Sequence, residues 1–157
     1  MDGIVNNVGL VRAAPIYEVR ETDLADVLDL TLRPGLVLSQ ALLPDMRARG
    51  FGRIINVSSL TALGMSNRTS YAAAKGALIS LTRSWALELA TAGITVNAVA
   101  PGPTETEMFR QNNPHGGPGE QRYLAAVPMR RLAAPVEIAS AICFLLFIGQ
   151  EEWPTVP

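Results

Sequence analysis

Of the 157 residues, 48% are hydrophobic and 17% charged, a balance that sustains a buried core and excludes a disordered chain. The length fits one domain rather than several. With 13 Lys+Arg against 14 Asp+Glu the net charge is -1, so no basic surface for nucleic acid is expected.

Gly3-Ile4-Val5 is a short apolar run that stops at the polar turn Asn6-Asn7-Val8-Gly9, as a buried strand feeding a loop does. From Thr22 the apolar period becomes helical through Leu24, Val27, Leu28, Leu32 and Leu36, with Thr22 as the expected N-cap. Pro34-Gly35 predicts a kink or break inside this helix, which should end by Gly50. FGRIINV, residues 51–57, reads as a second strand that ends at Ser58-Ser59. A second helix is expected from Thr69 or Ser70, with Gly93 closing it. Residues 94–99 form a third strand, stopped by Pro101-Gly102-Pro103. Residues 104–119 are polar, rich in Pro and Gly and without period, so they read as a functional or mobile loop. Helices over 121–126 and 135–147 follow. Cys143, the single cysteine, excludes an internal disulfide and a cysteine-rich metal site, and reads as a small buried hydrophobe. The first residues lack the basic n-region of a signal peptide. The longest apolar run, 138–149, falls short of the roughly 20 residues that span a bilayer, so a soluble, cytoplasmic chain with no membrane partner is expected.

Strands alternating with long helices predict an α/β fold with a parallel sheet, whose ligands bind at the carboxyl ends of the strands. All three strand ends here carry polar or turn residues. The sharpest constellation is Tyr71-Ala72-Ala73-Ala74-Lys75, which sets a phenol and an ammonium one helical turn apart on one face. A phenol with its ordinary pKa of about 10 is no base near neutrality, whereas a nearby cation favours the phenolate. Taken alone, this spacing is also that of an ordinary surface pair. Other candidates are weaker. His115 sits in a Pro-His-Gly-Gly loop and reads as solvated. Glu105 and Glu107 read as solvated or helix-starting acids, and Trp85 as packing. No G-x-S-x-G elbow is present to support a serine hydrolase.

Four motifs stand in register: Asn6-Asn7-Val8-Gly9, Ile54-Ile55-Asn56-Val57-Ser58-Ser59, Tyr71 to Lys75, and Asn97-Ala98-Val99-Ala100-Pro101-Gly102. Together they resemble the short-chain dehydrogenase/reductase family over residues 1–147. The resemblance implies a partial Rossmann-like doubly wound sheet, made of the family's strands four to six. It implies an NAD- or NADP-dependent interconversion of a small-molecule alcohol and a carbonyl, with Tyr71 as general acid/base. It implies that Lys75 holds the nicotinamide ribose and lowers the tyrosine pKa, and that a serine bonds the substrate oxygen. Alignment from the strand selects Ser59, while the usual interval to Tyr71 selects Ser58. Ser59 is preferred, because a one-residue deletion in the loop fits better than a slipped strand. Asn6, Val8 and Gly9 are implied to line the adenosine side, Pro101, Gly102 and Thr104 the nicotinamide, and Thr106 its carboxamide or phosphate side. Residues 104–119 are implied to form a substrate lid. The two long helices, 22–49 and 69–92, are implied to pair homo-oligomer subunits.

The sequence departs from the family in three places. The glycine-rich turn for the pyrophosphate is absent, and the nearest candidate, Gly50-Phe51-Gly52, precedes a strand. The chain is therefore expected to be an N-terminally truncated member lacking the first three βα units, with strand four left as an open edge. Thr31 stands where the family places an asparagine of its proton relay. The tail, 148–157, diverges and carries two prolines where a closing strand is usual. The alternative reading is a catalytically deficient relative that acts only through its two long helices.

Overall fold

The computed structural model describes residues 1–148. Three strands, β1 (Gly3–Asn6), β2 (Gly52–Val57) and β3 (Ile94–Val99), form a wholly parallel sheet in the order β1-β2-β3. Five α-helices accompany them: α1 (Glu21–Arg49), α2 (Thr69–Leu89), α3 (Glu107–Asn112), α4 (Pro118–Ala126) and α5 (Pro135–Phe147). The parallel sheet expected from the alternation is present, as is the partial Rossmann-like architecture that the resemblance implied, and β1 is an edge of the sheet. The expectation for the tail falls on residues 149–157, outside the described residues, and on Ile148.

β2 is central and every one of its residues is buried, Arg53 and Asn56 included, as in a strand covered on both faces. One face packs on α1 and α2 through Met46, Ile54, Leu89, Ile94 and Val96, with Trp85 beside them as the packing residue expected. α5 lies on the other, where Leu146 stands so close to Gly3 that a Cβ there would meet its Cδ2 at 2.7 Å. Cys143, on α5, is half-buried rather than buried, because α5 presents no fully buried residue to the sheet.

Two local expectations for α1 fail. The helix starts at Glu21, not after Thr22, and Arg20 before it bonds Asp23 at 2.8 Å instead of the backbone. Of the kink or break read at Pro34-Gly35, the break is absent, since the helix runs on through Pro34 and Pro44. Its buried stripe of Val27, Thr31, Gly35, Ser39 and Met46 faces the sheet, and this packing outweighs the donor lost at each proline. The helix ends as read, at a left-handed Gly50 with φ 64°, where the Phe51 N–H bonds the Met46 carbonyl at 3.1 Å.

Residues 104–119 are not one irregular loop. They contain α3, capped by Thr106, and the start of α4, with Pro118 in its first turn. Arg110 ties the segment together: it pairs with both oxygens of Glu105 and, at 2.6 Å, with Glu120. Glu120 also accepts the Gly116 N–H at 2.6 Å. Glu105 is thus an ion-pair partner rather than a solvated acid, whereas Glu107 is a helix-starting acid and His115 is exposed, as read.

Candidate active site

The three strands end on one side of the sheet, and the segments that follow them converge there. Leu60 N–H donates to the Pro101 carbonyl at 2.9 Å, tying the turn after β2 to the turn after β3. Ala14 N–H donates to the Asn67 carbonyl at 3.2 Å, which brings the segment after β1 to the start of α2. Tyr71 and Lys75 lie on the first turns of α2, where Ala-rich sequence leaves the helix free to approach the strands.

The adjacent serines separate cleanly. Ser58 is buried and donates its hydroxyl to the Lys75 carbonyl at 2.7 Å. Ser59 is half-buried and hydrogen-bonds the Tyr71 phenol, while its oxygen also accepts the Thr61 N–H at 3.1 Å. The Lys75 ammonium is 3% exposed and donates to the Val57 carbonyl at 2.7 Å. Its nitrogen stands 5.7 Å from the centre of the Tyr71 ring. Burial pushes its pKa down from 10.5 to about 8. The phenol responds differently from expectation. Burial holds Tyr71 above its ordinary value, opposed by the Ser59 hydrogen bond and the charge of Arg68 rather than by Lys75.

Of the residues around this centre, Val8, Gly9 and Gly102 are exposed and Pro101 is half-buried, all beyond the ends of β1 and β3. Gly9 touches the centre itself: a Cβ there would meet the Lys75 nitrogen at 3.1 Å and its Cε at 3.3 Å. The Thr104 hydroxyl bonds the Gly102 carbonyl at 3.0 Å, which shapes that turn. The Thr106 oxygen accepts the Phe109 N–H at 3.2 Å as the cap of α3. Asn6 points the other way. Its side chain is buried against Gly35 and donates to Asn56 at 2.8 Å, so only its backbone remains for a ligand.

Sequence reasoning missed this inward network, in which Asn56 donates in turn to Thr82 at 2.9 Å and Thr82 to the Leu78 carbonyl at 2.7 Å. It joins β1, β2 and α2 beneath the centre. The polar residues in apolar runs, Asn56 and Thr82, were its visible signal. It also missed that Lys75 is the one lysine in a chain whose other basic residues are arginines. The Thr31 hydroxyl is buried and has no hydrogen-bond partner.

The family model described as Enoyl-(Acyl carrier protein) reductase matches residues 1–148. A solved structure described as a short chain dehydrogenase/reductase family protein superposes with a TM-score of 0.83 at 38% identity, covering 92% of this chain and 59% of that one. The chain belongs to the short-chain dehydrogenase/reductase family. Two curated relatives are the 3-oxoacyl-(acyl-carrier-protein) reductase FabG of Vibrio cholerae and the oxidoreductase UcpA of Escherichia coli. FabG is 42% identical over 148 residues and UcpA 37% over 152, each alignment covering 92% of this chain. The chain spans 59% and 58% of their respective lengths. Among the described residues no helix is long and apolar enough to cross a membrane.

Proposed function

We propose that the chain carries the catalytic half of an NAD- or NADP-dependent oxidoreductase that interconverts a small-molecule alcohol and a carbonyl. The observation that carries this reading is the meeting of Ser59, Tyr71 and Lys75 where β2 ends and α2 begins. The residues fit the nicotinamide-ribose end of the cofactor. Gly9 leaves open backbone beside the Lys75 nitrogen, where any side chain would crowd it. Lys75 spends one of its three donors on Val57, which leaves two for ribose hydroxyls. No glycine-rich turn in the sequence fits the pyrophosphate.

When bound, the nicotinamide supplies or accepts the hydride. Tyr71 gives its phenolic proton to the substrate oxygen in reduction and takes it back in oxidation. Ser59 has one hydroxyl proton, which it gives to the phenol in the empty site and to the substrate oxygen when substrate is bound, stabilising negative charge on whichever accepts it. Burial keeps the phenol in its protonated form in the chain without cofactor, the form that has a proton to give. Pro101 and Gly102 close the nicotinamide side, and the Arg110-tied segment covers the substrate.

The test is oxidation of NADH and of NADPH by purified protein against a panel of carbonyls that includes 3-oxoacyl thioesters, the substrate class in the name of the relative FabG. Tyr71→Phe should reduce turnover by about a hundredfold or more. Equal rates in the two proteins would refute Tyr71 as the acid/base.

A second reading is favoured by apolar side chains left open on the long helices. Leu36, Val37 and Leu38 on α1 and Leu87 on α2 are exposed by 41%, 54%, 50% and 83%. These surfaces suit homo-oligomer pairing through α1 and α2, whether or not turnover occurs. Leu87→Glu should then shift the sedimentation of the protein toward monomer without altering the site.

A further inference from the structure

Ser58 and Lys75 are joined twice. Each side chain bonds the other segment's backbone: Ser58 Oγ donates to the Lys75 carbonyl at 2.7 Å, and Lys75 Nζ donates to the Val57 carbonyl at 2.7 Å. The Ser58 N–H is fixed as well, donating to the Val99 carbonyl at 2.7 Å. One residue thus holds the end of β3 by its backbone and the second turn of α2 by its hydroxyl. The hydroxyl is 3% exposed, and a buried hydroxyl is costly unless it is bonded. A helical carbonyl already accepts within its own ladder, so the bond from Ser58 is an addition to α2 rather than a repair. Tyr71 lies one helical turn before the Lys75 carbonyl, and Ser59 follows Ser58 directly. The two hydroxyls therefore address successive turns of the same helix.

We propose that Ser58 is a positioning residue: its bond to the Lys75 carbonyl seats α2 on the end of β2 and so sets the Lys75 ammonium and the Tyr71 phenol in place beside Ser59. This rests on the reading of Ser59, Tyr71 and Lys75 as the active site, and it gives the two serines separate tasks. Without the Ser58 hydroxyl, this turn of α2 keeps only one of its two side-chain hydrogen bonds to the end of β2, that of the ammonium, and water gains access to it. The groups facing that ammonium are Gly9 from the segment after β1, the Val57 carbonyl from β2 and Tyr71 from α2 itself. Of these three, Tyr71 alone titrates.

The sole lysine makes the test direct. Lysine labelled with carbon-13 at Cε gives one resonance in the full chain, and its pH titration reports Lys75 without cofactor. The variants are Ser58→Ala, Ser58→Cys and Ser58→Thr, each also followed by thermal melting. Ser58→Ala and Ser58→Cys should raise the Lys75 midpoint by about half a pH unit or more. Ser58→Thr keeps the donor and should titrate with the wild type. Cysteine nearly preserves the shape while its S–H is a weak donor, so the comparison stands even where Ser58→Ala does not fold. Lowered melting temperatures with an unmoved midpoint would make Ser58 merely structural and overturn the proposal. So would a midpoint in Ser58→Thr displaced as far as in Ser58→Cys. Because no nicotinamide is present, a chain that fails to bind NADH or NADPH refutes the proposed function without deciding this result.

Discussion

Replacing Lys75 by methionine should stabilise the protein at neutral pH while removing the cation of its site. Lys75 is 3% exposed, and burial is what brings its pKa down from 10.5 to about 8. That displacement corresponds to about 3 kcal/mol of unfavourable free energy in the charged folded state. Relaxation of the surrounding dipoles around the charge reduces this to about 2 kcal/mol. Against it stands the Val57 carbonyl, which loses its donor at 2.7 Å, a loss of about 1 kcal/mol. Methionine matches the length of the stem and fills the space, so Lys75→Met should gain about 1 kcal/mol at neutral pH. The pH dependence fixes the cause. The folded pKa lies below the unfolded one, so between about 8 and 10.5 the unfolded chain binds more protons than the folded chain. The destabilisation is therefore complete below about pH 8 and fades as pH rises through that window. Urea unfolding followed by circular dichroism, at neutral pH and near pH 10, measures both terms. The advantage of Lys75→Met over wild type, about 1 kcal/mol at neutral pH, should fall by about 2 kcal/mol and so change sign near pH 10. A pH-independent difference, or a variant less stable than wild type at neutral pH, would refute the assignment of Lys75 as a buried, unfavourably charged group.

Three further outcomes are expected. Asn56→Ala strands the Asn6 amide and opens a cavity at a fully buried position, so it should cost about 3 kcal/mol in urea unfolding. Gly9→Ala places a methyl group 3.1 Å from the Lys75 nitrogen and should weaken nicotinamide binding about tenfold or more, read by fluorescence titration. Arg110→Gln releases Glu105 and Glu120 and should speed hydrogen exchange across 104–126, while the global unfolding free energy changes by less than about 1 kcal/mol.

The strands and the two site helices were legible because their signals are local. Ile54, Ile55 and Val57 mark β2 by their β-branched side chains, Gly50 and Gly93 terminate helices in left-handed conformations at φ 64° and 70°, and the Tyr71–Lys75 spacing is one helical turn. Proline misled in α1, where burial of Thr31, Gly35 and Ser39 against the sheet decides the path of the helix and no local rule reports it. Proline was also a missed guide in the loop after β3, where Pro118 opens α4 rather than marking irregular chain. The choice between Ser58 and Ser59 turned on which face of the β2 end meets α2, a matter of tertiary approach. The inward bond of the Asn6 side chain was not legible for the same reason, since its partner Asn56 lies 50 residues away.

The most direct measurement is titration of the carbon-13-lysine chain with NADH and with NADPH, following the single Lys75 resonance. A saturable displacement at micromolar to sub-millimolar nucleotide, weakened in Gly9→Ala, is the expected result. A resonance that stays in place up to millimolar concentrations of both nucleotides would contradict a nicotinamide site at Tyr71 and Lys75.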